Sequence, residues 1–207
     1  IGAAPAGSLG VRVRTLDASK AEEIRRRYGI ERRYVLFCGT REPRKNLKRV
    51  LEAFRRLDRP GLDLVLAGPK GWKEELAEGI AALEERVRSL GFVPPDDLDA
   101  LYAGASVVVY PSLAEGFGLP VLEAMAHGVP VVTSAGTATE EVAGDATLLV
   151  DPLDTDAIVE AMQRVLDDRE LAAALGAAAK ERASSFTWQR SAELVAAVYV
   201  EAAAMSS

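Results

Sequence analysis

The chain of 207 residues carries 25 Lys and Arg against 31 Asp and Glu, a formal net charge of −6, with 49% apolar and 27% charged residues. That is an ordinary globular balance, long enough for one well-packed domain with an added lobe, and it lacks the basic excess of a nucleic-acid binder. The only cysteine, Cys38, allows no internal disulfide, and no apolar stretch approaches the roughly 20 residues of a membrane span, so a reducing, cytoplasmic setting is expected.

The opening "IGAAPAGSLG" has no basic segment followed by an apolar core, so it reads as a linker or a cut end rather than a signal peptide. "DASKAEEIRRRYGI" then predicts a polar surface helix ending at Gly29. Short Val- and Leu-rich runs follow: "YVLFCG", "LDLVLAG", "SVVVYPS", "VPVVTS" and "ATLLVDP", with "VRSLGFV" as a fainter one. Bounded by Gly, Pro or Ser, they read as parallel strands buried on both faces. Helical patterns separate them. Leu47, Val50, Leu51, Phe54 and Leu57 recur at helical spacing behind Asn46 in the cap position. "DDLDALYAGA" predicts a short helix with acids in its first turn, and "PVLEAMAHG" one that starts with Pro and ends before Gly128. From Asp154 onward the chain reads as almost all helix, broken at Gly176 and "SSFTW". Strand and helix alternating in this way predict an α/β fold: a Rossmann-like, doubly wound parallel sheet with helices on both faces and a helical tail.

In such sheets ligands bind beyond the carboxyl ends of the strands. Three predicted loops lie there. In Gly39-Thr40-Arg41-Glu42-Pro43-Arg44-Lys45-Asn46, Gly39 lets the backbone turn, and Arg44 and Lys45 stand beside a helix start. Two cations and free helix amides suit a phosphate or diphosphate, and a solvated basic turn is the competing reading. The spacing is not that of a Walker loop. In "EGFGLPVLEAMAHG", Gly116 and Gly118 permit close backbone approach, Glu115 precedes the helix, and Glu123 is placed in its first turn. The two acids can grip opposite ends of one ligand through vicinal hydroxyls, with backbone amides between them for phosphates; alternatively Glu123 complements the helix dipole and Glu115 caps a turn. In "GFVPPDDLDALY", backbone groups around Val93 can read the edge of a base. Cys38, Met125, Phe92, Trp72 and Trp188 are assigned to packing, and His127 to packing or a helix C-terminal charge.

Taken together, "GTREPRKN", "LAGPKGW", "GFVPPDDLDALYAGA", "YPSLAEGFGLPVLEAMAHGVPVVTS" and "EVAGDATLLVDP" resemble, in order and approximate spacing, the family 4 retaining glycosyltransferases. The likeness is to their C-terminal, nucleotide-sugar-binding domain, one half of a GT-B architecture, and it runs from about Tyr34 to Trp188. The resemblance implies that Glu115 hydrogen-bonds the transferred sugar and supports charge at the anomeric carbon, and that Glu123 binds the ribose hydroxyls. Gly116, Phe117, Gly118 and Leu119 would offer amides to sugar and diphosphate. Lys45 and Arg44 would neutralise the departing diphosphate beside Gly39 and Thr40, and Val93 would meet the base through its backbone. No metal and no cofactor are implied; the donor is itself a substrate. Thr40 stands where many relatives carry Arg, so the second phosphate cation is left open between Arg44 and Arg41. The branch reading Gly-Thr-x-x-Pro-Arg-Lys-Asn includes many mannosyltransferases, which tilts the donor toward GDP-mannose; a UDP-linked sugar stays open.

The implied division is a linker and lead-in helix over residues 1–33, the donor-binding domain over 34–186, and a final helix over 187–207 that crosses back to an N-terminal domain. That domain would hold the acceptor, a glycan, lipid or small molecule, and any membrane contact. The lead-in is too short to be that domain, so an excised donor-binding half, binding nucleotide sugar without efficient transfer, is expected. A non-catalytic nucleotide-sugar-binding module and an epimerase-like protein of the same architecture are the alternatives.

Overall fold

The computed structural model describes residues 18–69, 80–81, 83 and 86–205. The expected linker over residues 1–17, and Lys70, Gly71 and Trp72 of "LAGPKGW", lie outside the described residues. In chain order the elements are α1 (Ala18–Arg27), β1 (Arg33–Cys38), a 3₁₀ turn (Pro43–Lys45), α2 (Leu47–Leu57), β2 (Leu62–Ala67), β3 (Val87–Gly91), α3 (Pro95–Gly104), β4 (Val107–Tyr110), α4 (Leu119–Ala126), β5 (Val131–Ser134), α5 (Ala138–Ala143), β6 (Leu148–Val150), α6 (Thr155–Asp167), α7 (Arg169–Ser184) and α8 (Trp188–Met205).

All six strands run parallel in one open sheet of order β3-β2-β1-β4-β5-β6, with helices on both sides. The expected doubly wound, Rossmann-like fold is therefore the observed one. β2, β4 and β5 are buried along their whole length, which is why their sequences are mainly apolar and do not alternate strictly. Each fully buried Val or Leu there contributes about 1.5–3 kcal/mol. The faint run "VRSLGFV" is the edge strand β3, half exposed, which explains its weaker pattern. One acid interrupts β2: Asp63 has no exposed surface and is held by Arg88 Nε from β3 at 2.9 Å and by Arg32 Nη1 at 3.6 Å. A carboxylate at that depth requires such partners.

Several local expectations change. The lead-in helix α1 is not purely a surface element, since Ile24 is fully buried. Phe92 and Trp188 do not pack: they are 74% and 58% exposed. Gly176 does not break a helix. It lies inside α7, and the break before it falls at Asp168, whose carboxylate accepts from Leu171 N at 2.9 Å. Gly176 is needed for packing instead: a Cβ there would stand 2.3 Å from the carbonyl oxygen of Gly128, where α4 ends. α7 thus crosses the end of α4 with backbone against backbone.

Gly176→Ala sets two effects against each other. Alanine gains about 1 kcal/mol of helix propensity. The clash is with a carbonyl that cannot rotate away, and overpacking of this kind costs about 1–3 kcal/mol. A net fall in the urea unfolding midpoint is expected, and an unchanged or raised midpoint would refute the close crossing.

Candidate functional site

The loop leaving β1 is fixed at its base by backbone bonds between neighbouring strand ends. Gly39 N donates to Ala67 O and Gly68 N to Gly91 O, both at 2.8 Å. The 3₁₀ turn Pro43–Lys45 ends at Asn46, in the left-handed region at φ 60°, ψ 28°, a conformation asparagine tolerates better than most residues. Asn46 occupies the cap position of α2, as expected, but its side chain does not cap the helix. Its Nδ2 donates to Pro111 O at 2.8 Å and to Pro152 O at 2.7 Å, and its Oδ1 accepts from Arg49 at 3.1 Å. Leu113 N donates to Arg44 O at 2.7 Å. These bonds tie the loop after β1 to the loop after β4, its neighbour in the sheet.

That tie brings Glu115 against the basic turn. The Glu115 side chain is 7% exposed. Its Oε1 accepts from Lys45 Nζ at 2.6 Å and from the Tyr110 hydroxyl at 2.9 Å, and its Oε2 accepts from Arg44 Nη1 at 2.9 Å. Lys45 Nζ also donates to the Tyr110 hydroxyl and lies 4.9 Å from the centre of that ring. Arg44 is nearly half exposed and shares its guanidinium with Glu42, 2.8 Å away. Arg41 is placed differently. Its Nε and Nη2 are buried with no hydrogen-bond partner among the described residues, and burial lowers its pKa. Of the two arginines left open by the sequence, Arg44 is the one that contacts Glu115. Thr40 lies in the same loop, its carbonyl accepting from Glu42 N at 2.8 Å.

Beyond Glu115 the chain passes Gly116 and Phe117 to Gly118, the N-cap of α4, where φ is 104° and a Cβ would meet Thr139 Cγ2 at 2.8 Å; only glycine fits both conditions. The Phe117 ring packs edge-on against Phe186 at 6.1 Å. The amide N–H groups of Gly116, Phe117, Gly118 and Leu119 donate to no acceptor among the described residues. Leu119 opens the helix and is 42% exposed. Val93 is buried at the mouth of the loop after β3.

Glu123 is not in the first turn of α4. The helix begins at Leu119, which puts Glu123 in the second turn. It accepts from the Tyr102 hydroxyl at 2.9 Å, and burial, followed by the Asp99 carboxylate, raises its pKa against the lowering effect of that bond. One helical turn on, His127 stacks on the Tyr102 ring at 5.8 Å and meets Asp99 Oδ1 through Nε2 at 3.0 Å. It caps the end of α4 and its side chain is buried, in keeping with the packing role expected for it. Cys38 is a free buried thiol, pushed up to about 11 by burial. The structure therefore brings Lys45, Arg44 and Glu115 into direct contact and places Glu123, on α4, in a second polar cluster with Tyr102 and Asp99 of α3. Sequence reasoning missed Tyr110 and Tyr102. A tyrosine ending an apolar run, as in "SVVVYPS", puts a hydroxyl at a strand's carboxyl end, and that was the available signal for Tyr110.

Among the described residues no group of three or more His, Cys, Asp or Glu is placed to hold a metal ion, and no helix is long and apolar enough to cross a membrane.

Comparison with known proteins adds findings of three kinds. The family model described as glycosyl transferases group 1 matches residues 20–182. An O-antigen chain mannosyltransferase B of Escherichia coli is 46% identical over 165 residues, covering 75% of this chain and 42% of that protein. A D-inositol 3-phosphate glycosyltransferase of Salinispora arenicola is 37% identical, covering 91% of this chain and 46% of its own length. This chain thus spans less than half the length of both relatives. Among solved structures, sucrose-phosphate synthase from Thermosynechococcus elongatus superposes with a TM-score of 0.75 at 29% identity, over 89% of this chain and 49% of that one. The Anabaena protein HepE, solved with UDP-glucose, gives 0.80 at 23% identity, over 89% of this chain and 54% of that one.

The raised pKa of Glu123 makes a stability prediction. Its charged form is disfavoured in the folded chain, so stability falls as pH rises from the unfolded carboxyl pKa through the folded one. Glu123→Gln keeps an acceptor for Tyr102 and removes the buried charge. At pH 7 it is expected to melt at or above the wild-type temperature, with the gap narrowing as pH falls through the carboxyl range. A clearly lower melting temperature at pH 7 would contradict the burial argument.

Proposed function

The chain belongs to the group 1 glycosyl transferases, and we propose that it is the donor-binding half of a retaining hexosyltransferase. The observation that carries this reading is the contact of Lys45 and Arg44 with Glu115 across the loops after β1 and β4. Cations and an acid concentrated at the carboxyl ends of adjacent parallel strands suit a ligand with a diphosphate joined to a polyol.

The donor is a nucleotide diphosphate sugar. Lys45 and Arg44 face its diphosphate, with the amides of Gly116, Phe117, Gly118 and Leu119 and the turn at Gly39 and Thr40 completing the cradle. Glu115 accepts from hydroxyls of the sugar and steadies positive charge growing at the anomeric carbon. Glu123 accepts from the ribose hydroxyls, and the backbone at Val93 meets the base. As the bond to the anomeric carbon breaks, negative charge gathers on the departing diphosphate, and preorganised cations stabilise it more in the transition state than in the bound donor. Lys45 and Arg44 do without a metal what a divalent cation does elsewhere. The Escherichia coli relative, a mannosyltransferase by name, favours a mannosyl donor and so GDP as the nucleotide.

The acceptor hydroxyl belongs to a second domain. Two features support that: the relatives are more than twice as long as the match, and α8 carries Trp188, Tyr199 and Val200 with more than half of each exposed. A buried thiol without a disulfide suits a reducing, cytoplasmic compartment.

Calorimetry of the 207-residue chain with UDP, GDP and ADP tests the donor reading: it should bind one nucleoside diphosphate, GDP by preference, without transferring sugar. In the full-length enzyme, Lys45→Ala should lower kcat/KM for the donor by roughly 10²–10³-fold, the range for losing one electrostatic stabiliser. Unchanged turnover would remove the phosphate assignment. Transfer by the 207-residue chain alone would remove the two-domain reading.

A further inference from the structure

Tyr110 is the last residue of β4 and has no exposed surface. Its backbone is held by Thr133 Oγ1, which donates to Tyr110 O at 2.9 Å, and its ring packs against Phe37 at 5.9 Å. Gly39 lies beside the ring as well: a Cβ at that position would stand 3.6 Å from it, an ordinary contact distance. The ring is thus fixed by the sheet, and only its hydroxyl reaches the polar site.

Lys45 and Glu115 come from loops 70 positions apart, and both end on that hydroxyl. A phenol has one proton to give. Here it is given to Glu115 Oε1, which turns the lone pairs of the oxygen toward Lys45 Nζ. Burial, then the nearby Glu115 carboxylate, raises the phenol pKa, so the proton stays where this arrangement needs it. An ammonium has three N–H donors. With Glu115 and Tyr110 each taking one, a single N–H of Lys45 is left for a ligand, and its direction is set by the other two. Without the hydroxyl, Lys45 keeps its pairing with Glu115 but can pivot about it.

We propose that Tyr110 is a positioning residue: it aims the ammonium of Lys45 at the diphosphate and holds it in register with Glu115, and it takes no part in bond breaking. This rests on the donor reading given above. The role is separate from packing, because the ring alone serves the contacts with Phe37 and Lys45.

Tyr110→Phe keeps the ring and removes the hydroxyl. In the full-length enzyme it should lower kcat/KM for the donor by about ten- to a hundredfold, the range for losing a hydrogen bond to a charged group, with the melting temperature close to that of the wild type. The effect should act through Lys45. In the Lys45→Ala background, adding Tyr110→Phe should change turnover by less than about twofold. A merely structural role predicts the full loss in both backgrounds, and that result would overturn the proposal. Wild-type turnover of Tyr110→Phe, with Lys45→Ala impaired, would overturn it as well and leave the donor reading standing. Wild-type turnover of Lys45→Ala would instead overturn the donor reading, and this proposal with it.

Discussion

A carboxylate cannot be left unpaired when nearly all of its surface is removed from water. Glu115 is in that position, and it is satisfied by Lys45, Arg44 and Tyr110 together. Each partner arrives by a different route. Lys45 and Arg44 come from the turn after β1, Tyr110 from the end of β4, and Glu115 from the loop that follows. The four groups meet because β1 and β4 are neighbours at the centre of the sheet. From that pair the strand order runs outward in two directions, so the crossovers leave to opposite sides and the loops part above the sheet. Asn46 bridges the base of this crevice, donating to Pro111 O and Pro152 O. A satisfied network of this kind is rigid, and rigidity is what an electrostatic site needs if it is to stabilise charge without rearranging.

A second polar cluster lies one helix away. Glu123, Tyr102, Asp99 and His127 link α4 to α3 through hydrogen bonds and a stacked ring pair. Burial works against the charge of Glu123. A group kept in an environment that disfavours its charge is a familiar cost at binding sites, where stability yields to function. The end of α4 that carries His127 is pressed by α7 through the contact of Gly176 with Gly128. The C-terminal helices thereby set the position of the helix on which the acidic loop is mounted, although they contribute no side chain to the polar cluster around Glu115.

Several features were legible from residues alone. Apolar runs bounded by Gly, Pro and Ser marked the strands, because a strand covered on both faces needs no polar alternation. The basic turn and the acidic loop stood out by composition against an acidic chain. Motif order then tied them to one family. The errors arose where a residue's meaning depends on a distant neighbour. Gly176 reads as a break in a helical pattern, and it is a contact surface for a backbone far away in sequence. Asn46 reads as a side-chain cap, and its amide serves two other loops. Phe92 and Trp188 read as core by hydropathy, and they face outward.

Local pattern determined what each segment of this chain would be, since strand and helix periodicity, turn residues and charge are properties of neighbours in sequence. Tertiary structure decided which segments would touch. No spacing rule announces that the Tyr110 hydroxyl meets both Lys45 and Glu115, for that follows from the order of strands in the sheet. The pairing of Arg44, and not Arg41, with Glu115 is settled by how the turn is bent at Pro43 and Asn46. Both are matters of three-dimensional register, which hydrogen-bond geometry enforces over a few ångströms and sequence separation does not encode.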